Sequence, residues 1–314
     1  MRSVIEVKDL IKKYKTNNFN SVDTIDLTVK DGEFFAFLGP NGAGKTTTIS
    51  ILTTLLSQTS GTVNILGLDN NRNTKQIREN IGIIFQKPSL DEQLTGEENI
   101  RLHVSLYNQY YYSPIYKFMS EEYKYKLNTL ADMVDIKNDL FNKVKTYSGG
   151  MKRKIEVIRS LMHTPKILFL DEPTTGLDPE SRENIWNYLK TTREKFGITI
   201  FLTTHYLEEA DNSDNLAIIN KGKIIYDGDV ENLKTKLLTK ELLFSTSDNE
   251  KLQSELTSKD IKYTMSNNQY SINIDNNNIQ NVIKTIDTPI SNIDIKRPTL
   301  EQAYLALLRN HGNI

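Results

Sequence analysis

Gly39-Pro40-Asn41-Gly42-Ala43-Gly44-Lys45-Thr46 fits the pattern G-x-x-x-x-G-K-[ST] at every fixed position. Glycines let several backbone N–H groups point into one concavity without Cβ clashes, and the helix that follows adds its positive end. Such a concavity suits a polyphosphate. Lys45 is placed to reach the β- and γ-phosphates and the Thr46 hydroxyl to ligate Mg²⁺. The flanks agree: Glu33 to Leu38 reads as a buried strand entering the loop, and Thr47 to Leu52 as a helix leaving it.

A second centre lies at Ile167-Leu168-Phe169-Leu170-Asp171-Glu172, an apolar strand ending in two carboxylates. Alone, the pair would read as a solvated strand end. In a chain with a phosphate loop, Asp171 is placed to hold the Mg²⁺ shell and Glu172 to polarise an attacking water. A third is Tyr147-Ser148-Gly149-Gly150-Met151. Ser148 is a natural N-cap, and the glycines expose backbone donors at a positive helix end. By itself that segment reads equally as an anion site or as a simple capped helix.

The elements that must carry these residues alternate between strand and helix. Val4 to Tyr14 and Ser21 to Val29 suggest an antiparallel pair. Ile81 to Phe85, Ile167 to Leu170, Thr199 to Leu202 and Leu216 to Ile219 read as further strands, with a helix around Glu183 to Lys195. This alternation favours an α/β sheet with covering helices. From Thr95 to Lys145 the pattern is helical, with Leu102, Leu106, Leu127, Leu130 and Val134 at apolar positions. Gly222 and Gly228 read as turns around Ile224 to Tyr226. After about Leu233 the character changes. Strands at Glu241–Thr246, Ile261–Met265, Tyr270–Ile274 and Ile290–Ile295 alternate with helices at Glu250–Leu256 and Ile279–Ile286. The order is β-α-β-β-α-β, closed by a helix at Leu300–Arg309. Asp275 to Asn278 reads as a turn.

Composition narrows the function classes. The chain has 314 residues, 25% charged and 38% hydrophobic, with a formal net charge of −1. That size accommodates a large domain plus a small one, and that charge implies no broad attraction to nucleic acid or acidic lipid. Cysteine is absent, which excludes disulfides, thiolate catalysis and cysteine-based zinc sites. The longest apolar runs are far too short to span a bilayer, and the first residues carry charge where a signal peptide needs an apolar stretch. The expectation is a soluble chain that reaches a membrane only through a partner.

Over Val4 to about Glu231 the chain resembles the nucleotide-binding subunits of ATP-binding cassette (ABC) transporters. Gly39 to Thr46 is similar to their Walker A loop and Ile167 to Glu172 to their Walker B strand. Ser148-Gly149-Gly150 is similar to their signature sequence, though Tyr147 and Met151 replace its usual Leu and Gln. Gln86 sits where the family has its Q-loop, Asp178 in Gly176-Leu177-Asp178 where it has its D-loop, and His205 where it has its switch histidine. Tyr14 occupies the place of the aromatic residue that stacks on adenine. The segments at 147–151, 203–210 and 297–301 resemble the daunorubicin-resistance-type branch, the ATPase subunits of ABC-2-type exporters.

The resemblance implies an α/β fold: a cassette at 1–232 with a RecA-like core, an antiparallel β subdomain and a helical subdomain at about 94–147. A small C-terminal α+β accessory domain would occupy 233–314. It further implies ATP and Mg²⁺ as ligands. ATP would be held by Tyr14 and by Gly39, Pro40, Asn41, Gly42, Ala43, Gly44, Lys45, Thr46 and Thr47. Asp178 would also belong to the nucleotide-binding set, and Ser148, Gly149 and Gly150 would act across a head-to-tail dimer. The metal would rest on Thr46, Gln86 and Asp171, and Glu172, His205 and Gln86 would serve catalysis. A second copy and an ABC-2-type membrane permease are the implied partners, at the cytoplasmic face of the membrane, with no nucleic acid. The alternatives are a non-transport ABC ATPase, a regulatory module without turnover, or an importer subunit. The Tyr-rich stretch from Tyr107 towards Lys126 is longer than the family usually has there and reads as a surface insertion with aromatic packing. His103, His163, His311 and Trp186 read as ordinary surface or packing residues.

Overall fold

A computed structural model describes residues 2–107, 109–237, 240–266, 269–274, 279–296 and 298–310. The chain divides into two compact units, Met1–Asp227 and Gly228–Ile314.

The first unit opens with β1 (Ser3–Lys13) and β2 (Asn20–Lys30), then β3 (Phe34–Leu38), α1 (Lys45–Leu52), β4 (Ser60–Ile65) and β5 (Leu68–Asp69). It continues through α2 (Thr74–Asn80), β6 (Ile81–Ile84), α3 (Gly96–Ser105), α4 (Glu121–Met133) and α5 (Gly149–Leu161). Then follow β7 (Ile167–Asp171), α6 (Pro179–Phe196), β8 (Thr199–Thr204), α7 (Leu207–Ala210), β9 (Asn215–Asn220) and β10 (Lys223–Asp229).

Two sheets result. In the first, of order β2-β1-β4-β5, β1 pairs antiparallel with both β2 and β4, and Ile5 lies opposite Val29 and Ile65. The second has the order β10-β9-β3-β8-β7-β6, with β9, β3, β8, β7 and β6 parallel. Strands β3, β7 and β8 are buried along their whole length. Covered on both faces, they read as continuous apolar runs rather than alternating ones. Phe35 and Phe169 each pack on Phe201 with ring centroids 5.5 Å apart. The parallel register brings Leu38 level with Thr204, and Asp171 level with Thr203. Gly39, Glu172 and His205 therefore all begin where three adjacent strands stop, at the carboxyl edge of the sheet, where open α/β sheets place ligands.

The helical region differs from expectation in which residues it buries. Leu127, Leu130 and Val134 are buried, but Leu102 and Leu106 are exposed. Helix α3 instead turns Glu97, Ile100, Arg101 and Val104 inward. The two charges are tolerated because Arg101 Nε donates to Glu97 at 2.9 Å and the Tyr123 hydroxyl donates to the same carboxylate at 2.9 Å. Arg101 also donates to the Ser113 carbonyl, tying the Tyr-rich stretch down. Tyr107 stacks on the buried His163 at 4.0 Å, and the Tyr110 hydroxyl donates to the Met162 carbonyl. The insertion thus packs on the C-terminal end of α5. Trp186 stacks on Phe34 at 5.6 Å, a packing role. Gly228 lies within β10 rather than in a turn.

In the second unit, α8 (Val230–Leu237) precedes β11 (Lys240–Thr246), α9 (Asn249–Ser258), β12 (Thr264–Ser266), β13 (Gln269–Ile274), α10 (Ile279–Thr285), β14 (Ile290–Lys296) and α11 (Leu300–Asn310). The sheet order β12-β13-β11-β14 is antiparallel throughout. Leu242 and Phe244 of β11, Tyr270 and Ile272 of β13, and Leu252 and Leu256 of α9 form its core. Leu300, Ala303 and Leu307 are buried along one side of α11. Residues 275–278, Arg297 and His311 lie outside the described residues.

Candidate active site

The phosphate loop is shaped by contacts that only glycine allows. A Cβ on Gly39 would lie 2.3 Å from the Ile219 carbonyl, and one on Gly44, at φ +115°, would lie 2.5 Å from the Ser21 carbonyl. Helix α1 starts at Gly44 with no side-chain cap. Its first N–H groups have no side-chain acceptor, the condition that favours an anion. Lys45 is buried and folds back, its Nζ donating to the carbonyls of Gly39 at 2.8 Å and Pro40 at 3.2 Å.

Glu172 sits at the centre. Its carboxylate is 3.1 Å from Lys45 Nζ, accepts from Gln86 Nε2 at 2.9 Å, and lies 3.3 Å from His205 Nδ1. Its backbone adopts φ +46°, unusual for a side chain with a Cβ, and its N–H is held by the carbonyl and hydroxyl of Thr203. Burial alone would raise its pKa, but the Lys45 bond and charge, with His205, outweigh it and hold the carboxyl below its ordinary value. Asp171 goes the other way: burial raises its pKa, and the Thr203 hydroxyl bond at 2.5 Å only moderates the shift. Two adjacent carboxylates are thereby separated in character. Glu172 is the carboxylate paired with Lys45, and Asp171 accepts from the hydroxyls of Thr203 and Thr46.

Thr46 Oγ1 donates to Asp171 Oδ1 at 3.5 Å. This pair of hard oxygen donors beside the phosphate loop fits Mg²⁺, which keeps several waters and takes few protein ligands. Gln86 reaches the same place but spends its amide N–H on Glu172.

An open cleft of about 460 Å³ is lined by Asn41, Gly42, Gly44, Lys45, Thr46, Thr47, Gln86 and Glu172. Asn17, Phe19 and Ser21 line it as well. These three carried no motif signal, since they sit in the β1–β2 connection and at the start of β2. Tyr14 borders this region through its hydroxyl, 3.3 Å from Thr47 Oγ1, while Lys12 Nζ lies 5.4 Å from its ring centre.

Ser148, Gly149, Gly150 and Asp178 do not line this cleft. Ser148 Oγ caps α5 by accepting from Met151 N at 3.2 Å, and Asp178 caps α6 by accepting from Ser181 N at 2.9 Å. The two caps are neighbours: a Cβ on Gly150 would meet Ser181 Oγ at 2.8 Å. The departures at 147 and 151 are absorbed by packing. Tyr147 is buried, its hydroxyl donates to the Asp139 carbonyl, and burial pushes its pKa up to about 12. Met151 packs against the helical core.

One connection gave no sequence signal. Arg153 of α5 donates to the carbonyls of Phe85 at 2.7 Å and Gln86 at 3.0 Å, and pairs with Glu156 at 2.8 Å. Glu156 in turn accepts from Ser89 N. The helix that begins at Ser148 therefore grips the segment that presents Gln86.

A family profile described as "ABC transporter" matches residues 22–175. The daunorubicin/doxorubicin resistance ATP-binding protein DrrA of Streptomyces peucetius is 39% identical over 234 residues, 74% of this chain and 67% of that protein. The chain belongs to the ATP-binding proteins of the ABC transporter family. Other ABC relatives match as well. The probable multidrug ABC transporter ATP-binding protein YbhF of Escherichia coli is 35% identical over 239 residues; the match takes in 76% of this chain but only 39% of YbhF. The ATP-binding cassette MJ0796, solved as a dimer in a post-hydrolysis state with ADP and Pi, aligns with a TM-score of 0.64 at 27% identity. That match covers 72% of this chain and 98% of that one. Among the described residues no helix is long and apolar enough to cross a membrane.

Proposed function

We propose that this ABC cassette hydrolyses Mg²⁺-ATP to power a separate ABC-2-type permease that exports small molecules. The observation that carries the hydrolytic reading is the convergence of Lys45, Gln86 and His205 on the Glu172 carboxylate at the mouth of the phosphate loop. In the free protein Lys45 and Glu172 neutralise each other. An entering polyphosphate competes for Lys45 and leaves Glu172 free to take a proton from water, with Gln86 and His205 orienting that water and the terminal phosphate. Tyr14 offers its ring to the base. Mg²⁺, held beside Thr46, Asp171 and Gln86, would neutralise charge on the phosphates.

Ser148, Gly149, Gly150 and Asp178 act on a second copy. Their placement away from the cleft supports this, as does the dimeric state of MJ0796. ATP binding favours the closed pair and hydrolysis releases it. The export direction rests on the likeness to DrrA. The chain would lie at the cytoplasmic face of the membrane, held there by the permease, with the C-terminal unit tuning dimerisation or docking.

Phosphate release by the purified chain tests the hydrolytic reading. Glu172→Gln should retain ATP and lower turnover by roughly 10²-fold or more, as loss of a general base does. Turnover within twofold of the parent chain would remove Glu172 from that role.

A further inference from the structure

Glu209 is a deeply buried carboxylate beside His205 that the proposed reaction does not use. Its residue is 1% exposed, and it lies on α7, four positions beyond His205. Both carboxylate oxygens are engaged. Thr174 Oγ1 donates to Oε1 and Thr204 Oγ1 to Oε2. Thr174 and Thr204 are themselves fully buried.

The two donors come from different elements. Thr174 lies two residues after Glu172, in the turn between β7 and α6, where Thr175 N bonds to the Glu172 carbonyl and Leu177 N to the Thr174 carbonyl. Thr204 is the last residue of β8, immediately before His205. Its carbonyl accepts from Gly39 N at 3.2 Å, and its hydroxyl accepts from Tyr206 N at 2.9 Å. A third element closes over the top: Arg182 of α6 stacks its guanidinium on Tyr206 at 4.6 Å. Burial raises the Glu209 pKa, and the Thr174 and Thr204 bonds with the Arg182 charge moderate the shift. The short helix that follows His205 is thus bonded, through one carboxylate, to the strand end before His205 and to the turn after Glu172. A carboxylate that only accepts is suited to gather two hydroxyl donors. An apolar residue there would leave both hydroxyl protons without an acceptor in a dry site.

We infer that Glu209 is a positioning residue that holds His205 in register with Glu172 by clamping Thr204 and Thr174 to one buried carboxylate. It touches no reacting atom itself. The 3.3 Å separation of His205 Nδ1 from Glu172 spans two chain segments that are 33 residues apart in sequence, and the clamp is a direct side-chain link between them. The inference rests on the hydrolytic reading for its kinetic consequence but not for its structural one.

The test uses the full-length chain. Glu209→Gln keeps one acceptor and the side-chain volume, so it should fold where Glu209→Ala would leave two buried hydroxyl protons without an acceptor. It should lower kcat by about tenfold with KM for ATP within about twofold, the pattern expected when a reacting group is displaced but binding is not. In the double variant Glu209→Gln/His205→Ala, kcat should be no lower than in His205→Ala alone, because the clamp acts through the histidine. A wild-type kcat in Glu209→Gln, or losses that multiply in the double variant, would overturn the assignment. The second readout needs no turnover. The chain has four histidines, so the His205 imidazole resonances can be assigned by their loss in His205→Ala. In nucleotide-free Glu209→Gln those resonances should move while those of the distant His103 stay fixed. Unmoved His205 resonances would overturn the clamp even if Glu172→Gln had already overturned the hydrolytic reading.

Discussion

The chain has two glycine-rich helix starts, and they are finished differently. Helix α1 begins at Gly44 with no side-chain cap, a positive φ and a buried lysine beside it. Helix α5 begins at Ser148, whose own hydroxyl accepts the Met151 N–H, and Ser148 and Gly149 are exposed. The first start leaves its donors for a ligand and surrounds them with Glu172, Gln86 and Thr46. The second satisfies one of its donors internally and presents the rest to solvent, with Gly150 pressed on Ser181. Both have the backbone chemistry to bind an anion. Only α1 has, in the same unit, the side chains to do anything with it. The proposed division of labour between two copies follows from that asymmetry.

The sharpest way to break this comparison is to disable each start separately. Lys45→Ala and Ser148→Arg should each abolish ATPase activity. Mixing the two chains should restore one intact composite site per heterodimer, seen as recovered phosphate release. Heterodimers that form and stay inactive would show that both starts must act within one copy.

A smaller effect concerns what anchors α5 at its far end. His163 is buried there, its Nε2 bonded to the Ile81 carbonyl at 2.8 Å, and Tyr107 and His103 pack beside it. Burial, with Arg159 and His163 nearby, lowers the His103 pKa to about 3. Between pH 6.5 and 3 the unfolded chain binds a proton at His103 that the folded chain does not. This contribution is complete above about 6.5 and falls by up to about 1.4 kcal/mol per pH unit below it. Thermal denaturation at pH 7.5 and 5.5 should show the loss, and His103→Gln should reduce the difference. An equal loss in that variant would place the titrating group elsewhere.

The smallest effect is expected from removing the second unit. Every residue assigned to ATP precedes Gly228, so a chain ending at Glu231 should bind ATP with an affinity within about threefold of the whole, a ratio worth less than 1 kcal/mol. Dimerisation and permease-stimulated turnover should change instead. Weaker ATP binding by a truncation that is still folded would mean that the second unit supports the α1 site.

The residues of the candidate site were legible in sequence because their geometry is local. A phosphate loop is one turn whose fixed glycines are dictated by backbone approach, and Asp171-Glu172 is the end of one apolar strand. The β-α-β-β-α-β order of the second unit was likewise visible, since alternation and turn residues report each element separately. Other features depended on residues far apart in sequence. Leu102 and Leu106 look like core positions on a helical pattern, yet α3 buries Glu97 and Arg101 because Tyr123, from another helix, completes their hydrogen bonding. Phe19 and Asn17 carry no motif, and only the pairing of β1 with β2 brings them to the cleft. Sequence by itself determined the family and placed residue types suited to phosphate in one loop. Tertiary structure decided that Glu172 rather than Asp171 is the ion-pair partner of Lys45, and that Glu209 reaches both Thr174 and Thr204. The physical reason is that charge state and positioning are set by burial and by partners tens of residues away, and no local spacing encodes them.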